Sequence, residues 1–388
     1  MMNPFVFHSP TRIIFGEYAA SSVVDAVREV GGTKVLFVTD EFLLKSKILE
    51  PVLASLAELG TECTFVFADV PPDSEIKTVN SAAKIAVDAG CDCVVAVGGG
   101  SVLDTAKVAN ICISMGGHLM EYQGLNNLAE RLKPLIAIPT TAGTGSEVSM
   151  VAMVKDSAES KKLLFGSRYL APDVAILDPT LIVSLPPRLT AATGMDAVTH
   201  AIESYSSVIS SSAFTEALCL QALRFLFDNL ERATVDGTDI DARSATLIAS
   251  TMAGVAFTNS GVGIIHALSH AVGARYNTHH GATNSIFLPH GMDFNKEVAA
   301  PRYADMARFL KLDNSGNDEK AAQALIDAVR QLTQRLRLPL RLRDMGVTDF
   351  EKEQLEELAE LAATDASIMF NPREVSNDNL IDIFKRAY

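Results

Sequence analysis

Cys93-Val-Val-Ala-Val97, followed directly by Gly98-Gly-Gly-Ser-Val-Leu-Asp-Thr-Ala-Lys107, reads as a buried strand, a glycine turn and the first turns of a helix. The same unit recurs on either side. Lys34–Thr39 (KVLFVT) is a short apolar run that closes at Asp40, and residues 41–59 then space Leu43, Leu44, Ile48, Leu53, Leu56 and Leu59 as a helix before Gly60. Cys63–Ala68 reads as a strand, 74–89 as a helix closed by Gly90, and 101–115 as the helix after the glycines. Pro134–Pro139 (PLIAIP) and Val174–Leu177 (VAIL) are two further apolar runs. Continuous apolar strands alternating with amphipathic helices predict a Rossmann-like α/β unit, a parallel sheet covered by helices on both faces.

From about residue 188 the strand signals nearly vanish. Helical spacing dominates 213–230, 242–257, 262–275, 321–336 and 349–363, so an all-helical second half is expected. Consecutive prolines in Ser184-Leu-Pro-Pro-Arg188 put the boundary there, with domains over 1–186 and 187–388. The Leu/Arg stretch Arg335–Arg343 reads as a solvated helix end.

The chain has 388 residues, 33 Lys+Arg against 47 Asp+Glu and a net charge of −14. That balance, with no basic cluster, argues against a nucleic-acid partner, because phosphate binding requires Lys and Arg to displace counterions. No apolar run approaches the ~20 residues needed to span a bilayer, and the N-terminus has no targeting pattern. Five sparse cysteines make no disulfide framework. A cytoplasmic protein is expected.

Two polar turns follow buried strands. Gly98–Gly100 precede a helix N-terminus whose N–H groups and partial positive charge suit a pyrophosphate, although the pattern is not G-x-G-x-x-G and a tight turn capped by Ser101 is the plainer alternative. Thr140-Thr-Ala-Gly-Thr-Gly-Ser-Glu-Val-Ser149 carries eight small or hydroxyl residues after PLIAIP. Ligands of open α/β sheets bind beyond the carboxyl ends of strands, so the two turns suggest one nucleotide site. Asp40, at another strand end, can accept from a ribose 2′-hydroxyl and would repel a 2′-phosphate, which favours NAD over NADP; a helix-capping Asp is the alternative.

The second half carries a denser signal. Gly194-Met-Asp196-Ala-Val-Thr-His200-Ala-Ile-Glu203-Ser-Tyr205 sets Asp196 and His200 at i, i+4, on one helix face. Ile265-His266-Ala-Leu-Ser-His270 repeats the spacing, and Tyr276-Asn-Thr-His279-His280-Gly281 follows. Five of the eight histidines fall between 200 and 280. A carboxylate plus imidazoles from separate helices is the donor set of a divalent transition metal. His290 reads as structural and Tyr205 as a packing residue.

With these pieces the sequence resembles the iron-containing (group III) alcohol dehydrogenases, through GGGSVLDTAK (98–107), PTTAGTGSEVS (139–149), GMDAVTHAIESY (194–205), HALSHAVGARYNTHHG (266–281) and Asn371-Pro-Arg373. The resemblance implies an NAD(P)-binding α/β domain, an all-helical metal domain and catalysis in the cleft between them. By position it assigns Asp196, His200, His266 and His280 to the metal and His270 to the substrate pocket. Gly98, Gly99, Ser101, Thr140, Thr141, Ser149 and Lys162 fall where the family contacts the dinucleotide. Three positions depart from the family pattern: His279 and Ala271 stand where Pro is common, and Asp73 where Asn is frequent.

The activity implied is reversible hydride transfer between a small primary or secondary alcohol, diol or hydroxy acid and NAD. Fe²⁺, or Zn²⁺ or another divalent ion in its place, would act as Lewis acid, and His270 would relay the proton. A homodimer or larger homo-oligomer is implied as well. Related chemistries of the same fold remain open, namely hydroxyacid–oxoacid transhydrogenase, glycerol dehydrogenase and maleylacetate reductase, as does a catalytically silent metal- and nucleotide-binding protein.

Overall fold

The structure is a computed structural model that describes residues 4–60, 62–157, 161–348 and 350–388. Two compact units separate, one over His8–Ser184 and one over Leu185–Tyr388 together with the segment ending at Phe7.

The first unit runs β1 (Arg12–Phe15), α1 (Val23–Glu29), β2 (Val35–Val38), α2 (Glu41–Lys45), α3 (Glu50–Leu56), β3 (Thr64–Phe67), α4 (Ile76–Ala89), β4 (Cys93–Gly98), α5 (Gly100–Met115), β5 (Gly124–Leu125), β6 (Leu135–Pro139), β7 (Val151–Asp156), β8 (Lys161–Gly166) and β9 (Val174–Leu177). Six strands form an all-parallel sheet in the order β1-β9-β6-β4-β2-β3. The four inner strands β9, β6, β4 and β2 are buried at every residue, which is why they read as unbroken apolar runs. Strand alternation divides their side chains between two cores. Leu36, Val38, Val94 and Ala96 pack with α4 and α5, while Val35, Phe37, Cys93 and Val95 pack with α1 and α3. Helices therefore cover both faces, as expected.

Three features depart from the sequence reading. Arg12–Phe15 adds an edge strand, mostly exposed, beside β9. Val151–Asp156 and Lys161–Gly166 form an antiparallel hairpin that joins β5 in a second, three-stranded sheet. The helix expected over 41–59 is broken, because Ser46 is extended and Pro51 can enter a helix only in its first turn.

The second unit is helical throughout: α6 (Pro187–Ser206), α7 (Ala213–Val235), α8 (Ile240–Ser260), α9 (Ile264–Tyr276), α10 (His280–Phe309), α11 (Asp318–Arg335), α12 (Lys352–Ala363) and α13 (Asn377–Ala387). Pro187 opens α6 rather than merely interrupting the chain. The helix expected from Asp349 begins at Lys352; Asp349 itself lies outside the described residues. One apolar cluster, with Met195, Val198, Leu223, Leu226, Leu268, Ile286 and Leu325 among its members, holds the helices together. Among the described residues, no single helix is long and apolar enough to cross a membrane.

Candidate metal centre and nucleotide loops

Asp196 and His200 lie on α6 one turn apart, and Glu203 continues the same face. Helix α8 ends at Gly261, whose φ of +78° few other residues would adopt, and α9 leaves at 101° to it. That bend brings His266, in the first turn of α9, against α6. Asp196, His200 and His266 each offer an atom within 4.8 Å of the others, all three side chains buried. His280, the first residue of α10, sets Nε2 3.5 Å from Asp196 Oδ1 and keeps 29% of its side chain exposed. His279 plays a different part. It is exposed, and its Nδ1 accepts from the Ala282 N–H as the helix cap. Gly281 follows, and a Cβ there would run into the Ala192 carbonyl, so α6 and α10 meet backbone to backbone beside the site.

Further contacts lay outside the sequence reading. Glu203 accepts from the Ile265 N–H through Oε1 at 2.7 Å and faces His266 Nδ1 through Oε2 at 2.5 Å. Burial alone would push the His266 imidazole down, but the Glu203 hydrogen bond and charge, with Asp196 behind them, raise it. His270 Nδ1 pairs with Asp365 Oδ2, and its ring stacks on that of His280 at 5.2 Å. Burial opposes the Asp365 charge, yet His270 and the Ser367 bonds hold its carboxyl well below the usual range. Asn284 Nδ2 donates to Asp196 Oδ1 at 2.7 Å and lies 3.3 Å from His266 Nε2 and 3.2 Å from His280 Nε2.

These residues fit a divalent cation. Lone pairs of Asp196, His266 and His280 converge on one small volume, where a single amide group faces all of them. Asn284 Oδ1, beside it, is a buried acceptor with no hydrogen-bond partner among the described residues. The pocket therefore holds more electron-pair donors than protons to satisfy them, the condition a metal ion corrects.

Comparison with known proteins places this arrangement. The iron-containing alcohol dehydrogenase family model matches residues 10–179, and the model for the C-terminal part of the Fe-containing alcohol dehydrogenase family matches 190–388. The chain belongs to the iron-containing alcohol dehydrogenase family. It is 36% identical over 382 residues to the NAD-dependent methanol dehydrogenase of Bacillus methanolicus, covering 98% of this chain and 99% of that protein. It is 34% identical over 387 residues to the 1,3-propanediol dehydrogenase of Citrobacter freundii, covering 99% of each. A crystal structure of 1,3-propanediol oxidoreductase superposes with a TM-score of 0.95 at 34% identity over the full length of both chains.

In this family member the sheet gathers the polar turns. Strands β2, β4 and β6 are neighbours, so Asp40, Gly98–Ser101 and Thr140–Thr141 stand at adjacent carboxyl ends. The glycines serve the protein's own packing: a Cβ at Gly98 would lie 2.5 Å from Val102, and one at Gly100 2.7 Å from Thr144. Asp40 Oδ1 accepts from the Leu43 N–H and caps α2. Gly99, not Ser101, precedes α5; Ser101 Oγ instead accepts from the Asp73 N–H. Asp73, at φ +54°, pairs with Lys162 at 3.0 Å.

Ser149 is drawn inward. Its hydroxyl and carbonyl both accept from Lys107 Nζ at 2.9 Å, and the Val151 carbonyl accepts from the same ammonium at 3.0 Å. Burial pushes Lys107 down to about 8, opposed by the charges of Asp104 and Glu147. Asp104 accepts from Ser146 Oγ and the Met153 N–H, and burial raises its carboxyl. Two charges one turn apart on α5 thus tie the Thr140–Ser149 turn to the base of the β7–β8 hairpin.

Proposed function

We propose that this chain is a metal-dependent alcohol dehydrogenase that moves hydride reversibly between NAD and a small primary or secondary alcohol, diol or hydroxy acid. The observation that carries the reading is the buried meeting of Asp196, His200 and His266 from two helices, with His280 of a third beside Asp196. Asp196, His200, His266 and His280 would hold the ion, iron before zinc because iron is the metal of the family. When bound, the metal supplies Lewis-acid polarisation of the substrate oxygen, and NAD supplies the hydride acceptor.

The protein's own residues do the rest. Asp196 brings the one formal negative charge of the ligand set. Phe257 stacks on His200 at 4.4 Å and makes that side of the site apolar, which helps exclude water. Asp365 engages His270 at Nδ1, so Nε2 is the atom that takes and releases the alcohol proton. Asp40, Gly98, Gly99, Ser101, Thr140, Thr141, Ser149 and Lys162 serve the dinucleotide. Asp40 does so through its charge, Ser149 from within by shaping the turn, and Lys162 together with Asp73. The carboxylate of Asp40 at a strand end supports NAD over NADP. Relatives named for methanol and 1,3-propanediol support a small alcohol or its aldehyde as substrate. We place the protein in the cytoplasm, as its free cysteines suit, and as a homodimer or larger homo-oligomer, with neither nucleic acid nor membrane as partner.

Elemental analysis of anaerobically purified protein, with NADH formation measured on small alcohols and diols, tests the proposal. About one iron or zinc per chain, with activity lost on chelation and restored by metal, is expected. Alcohol oxidation by metal-free protein would overturn it, and turnover that needs an oxo-acid rather than added NAD would indicate a transhydrogenase.

A further inference from the structure

Glu203 is a buried carboxylate that the reaction does not use, and its two oxygens do different work. Oε1 accepts from the Ile265 N–H at the start of α9, where the next N–H, that of Ile264, is taken by Asn371 Oδ1 at 3.2 Å. Gly263 leaves room for both groups: a Cβ there would lie 2.9 Å from Asn371 Oδ1 and 3.1 Å from Glu203 Oε1. Oε2 faces His266 Nδ1. An ionised carboxylate can only accept, so the proton of a neutral His266 ring is drawn to Nδ1. The far side of the ring says the same. Asp196 Oδ1 can only accept, which makes the Asn284 atom facing it the amide nitrogen. That same nitrogen lies 3.3 Å from His266 Nε2 and meets a lone pair there.

We infer that Glu203 is a positioning residue for the metal centre: it holds His266 in the ring form whose Nε2 lone pair is turned to the ion, while the same carboxylate anchors the helix that carries the ring. Ligand histidines whose second nitrogen is fixed by a carboxylate bind metal about 10–100-fold more tightly than those that lose it. The inference rests on the metal reading above.

Glu203→Gln separates the two tasks. Gln keeps an oxygen for the Ile265 N–H but presents an NH₂ to Nδ1, which then must accept, so the ring proton moves to Nε2 and blocks the ligand position. Cobalt(II) or zinc binding, measured by competition with a chromophoric chelator, is expected to weaken by about 10–100-fold in Glu203→Gln, with NAD affinity unchanged. Asn371→Ala disturbs the same helix start without touching the ring and is expected to lower the melting temperature but to leave metal affinity near wild type. Equal metal affinity in Glu203→Gln and wild type overturns the inference alone. So does an equal loss in Asn371→Ala, since helix placement would then be the cause. A wild type that binds neither ion overturns the metal reading with it. Should Glu203→Gln not fold, ¹⁵N histidine shifts of the metal-free wild type at mildly alkaline pH, assigned with His266→Asn, decide. A proton on Nδ1 is expected, and one on Nε2 overturns the inference.

Discussion

His270 Nδ1 lies 2.8 Å from Asp365 Oδ2, a pairing across 95 residues of sequence. The carboxylate fixes the ring's orientation through Nδ1 and leaves Nε2 as the nitrogen that can pass a proton on. Replacing His270 by Ala is expected to slow turnover by about 10²–10⁴ while metal stays bound. Steady-state kinetics alongside metal analysis checks this, and metal loss in the variant would make His270 a ligand instead.

His266→Ala removes the imidazole that joins α9 to the Asp196 group. Metal content and turnover are both expected to disappear, while NAD binding in the other unit persists. Because an ion that binds only the folded chain stabilises it by mass action, chelated wild type is expected to melt below the metal-loaded protein, and His266→Ala lower still and unresponsive to chelator, since it also strands the buried Glu203 Oε2. Calorimetry with and without chelator reads the difference.

How much of this was legible in the sequence follows from where each signal resides. The inner strands β2, β4, β6 and β9 are buried on both faces and so read as continuous apolar runs. Arg12–Phe15 is an exposed four-residue edge, and the β7–β8 hairpin mixes Lys with Leu and Met; neither has a periodicity that stands out. Asp196, His200, His266 and His270 showed themselves because helical spacing is local. Glu203 stood in view in the same motif, but its task depends on the approach of α9. Asp365 acts through a contact 95 residues distant, which no window along the chain contains; Asn284 stands one turn after His280, but its bond to Asp196 spans 88 residues.

Lys107→Met should be among the more damaging single changes in the first unit. It strips the donor from Ser149 O, Ser149 Oγ and Val151 O and leaves Asp104 without its neighbouring cation. Leaving a buried acceptor without its donor costs about 1–3 kcal/mol. Denaturant unfolding is expected to show that loss, and Lys107→Met/Asp104→Asn to recover part of it, since neither charge is then stranded.

His290 gives a pH signature away from the metal. Burial, then repulsion from Arg386 and Arg330 only partly offset by Asp293, pushes its imidazole down to about 4 from an ordinary 6.5. Between those values the unfolded chain carries the extra proton, so stability rises with pH across the window and falls on acidification. The slope is at most about 1.4 kcal/mol per pH unit. Unfolding of His290→Gln followed from pH 7 downward is expected to show a shallower decline than wild type, and an identical decline would refute the assignment.

Asp40 combines charge with a cap on α2, and Asp40→Ser keeps an acceptor for the Leu43 N–H while removing the charge. Activity with NADP is expected to rise relative to NAD with little change in melting temperature. Paired kcat/KM values for the two cofactors test it.

Gly281 offers no ligand atom, yet the bare backbone contact it allows with Ala192 brings the turn of α6 that carries Asp196 up to the residue before it, His280. The distance across the proposed ligand ring is thus gauged by two backbones rather than by flexible side chains. Ions of one charge differ in radius by a few tenths of an ångström, and such a gauge can favour one over another where raw affinity does not. A methyl group at position 281 would act as a shim, resizing the ring without altering any of its donors.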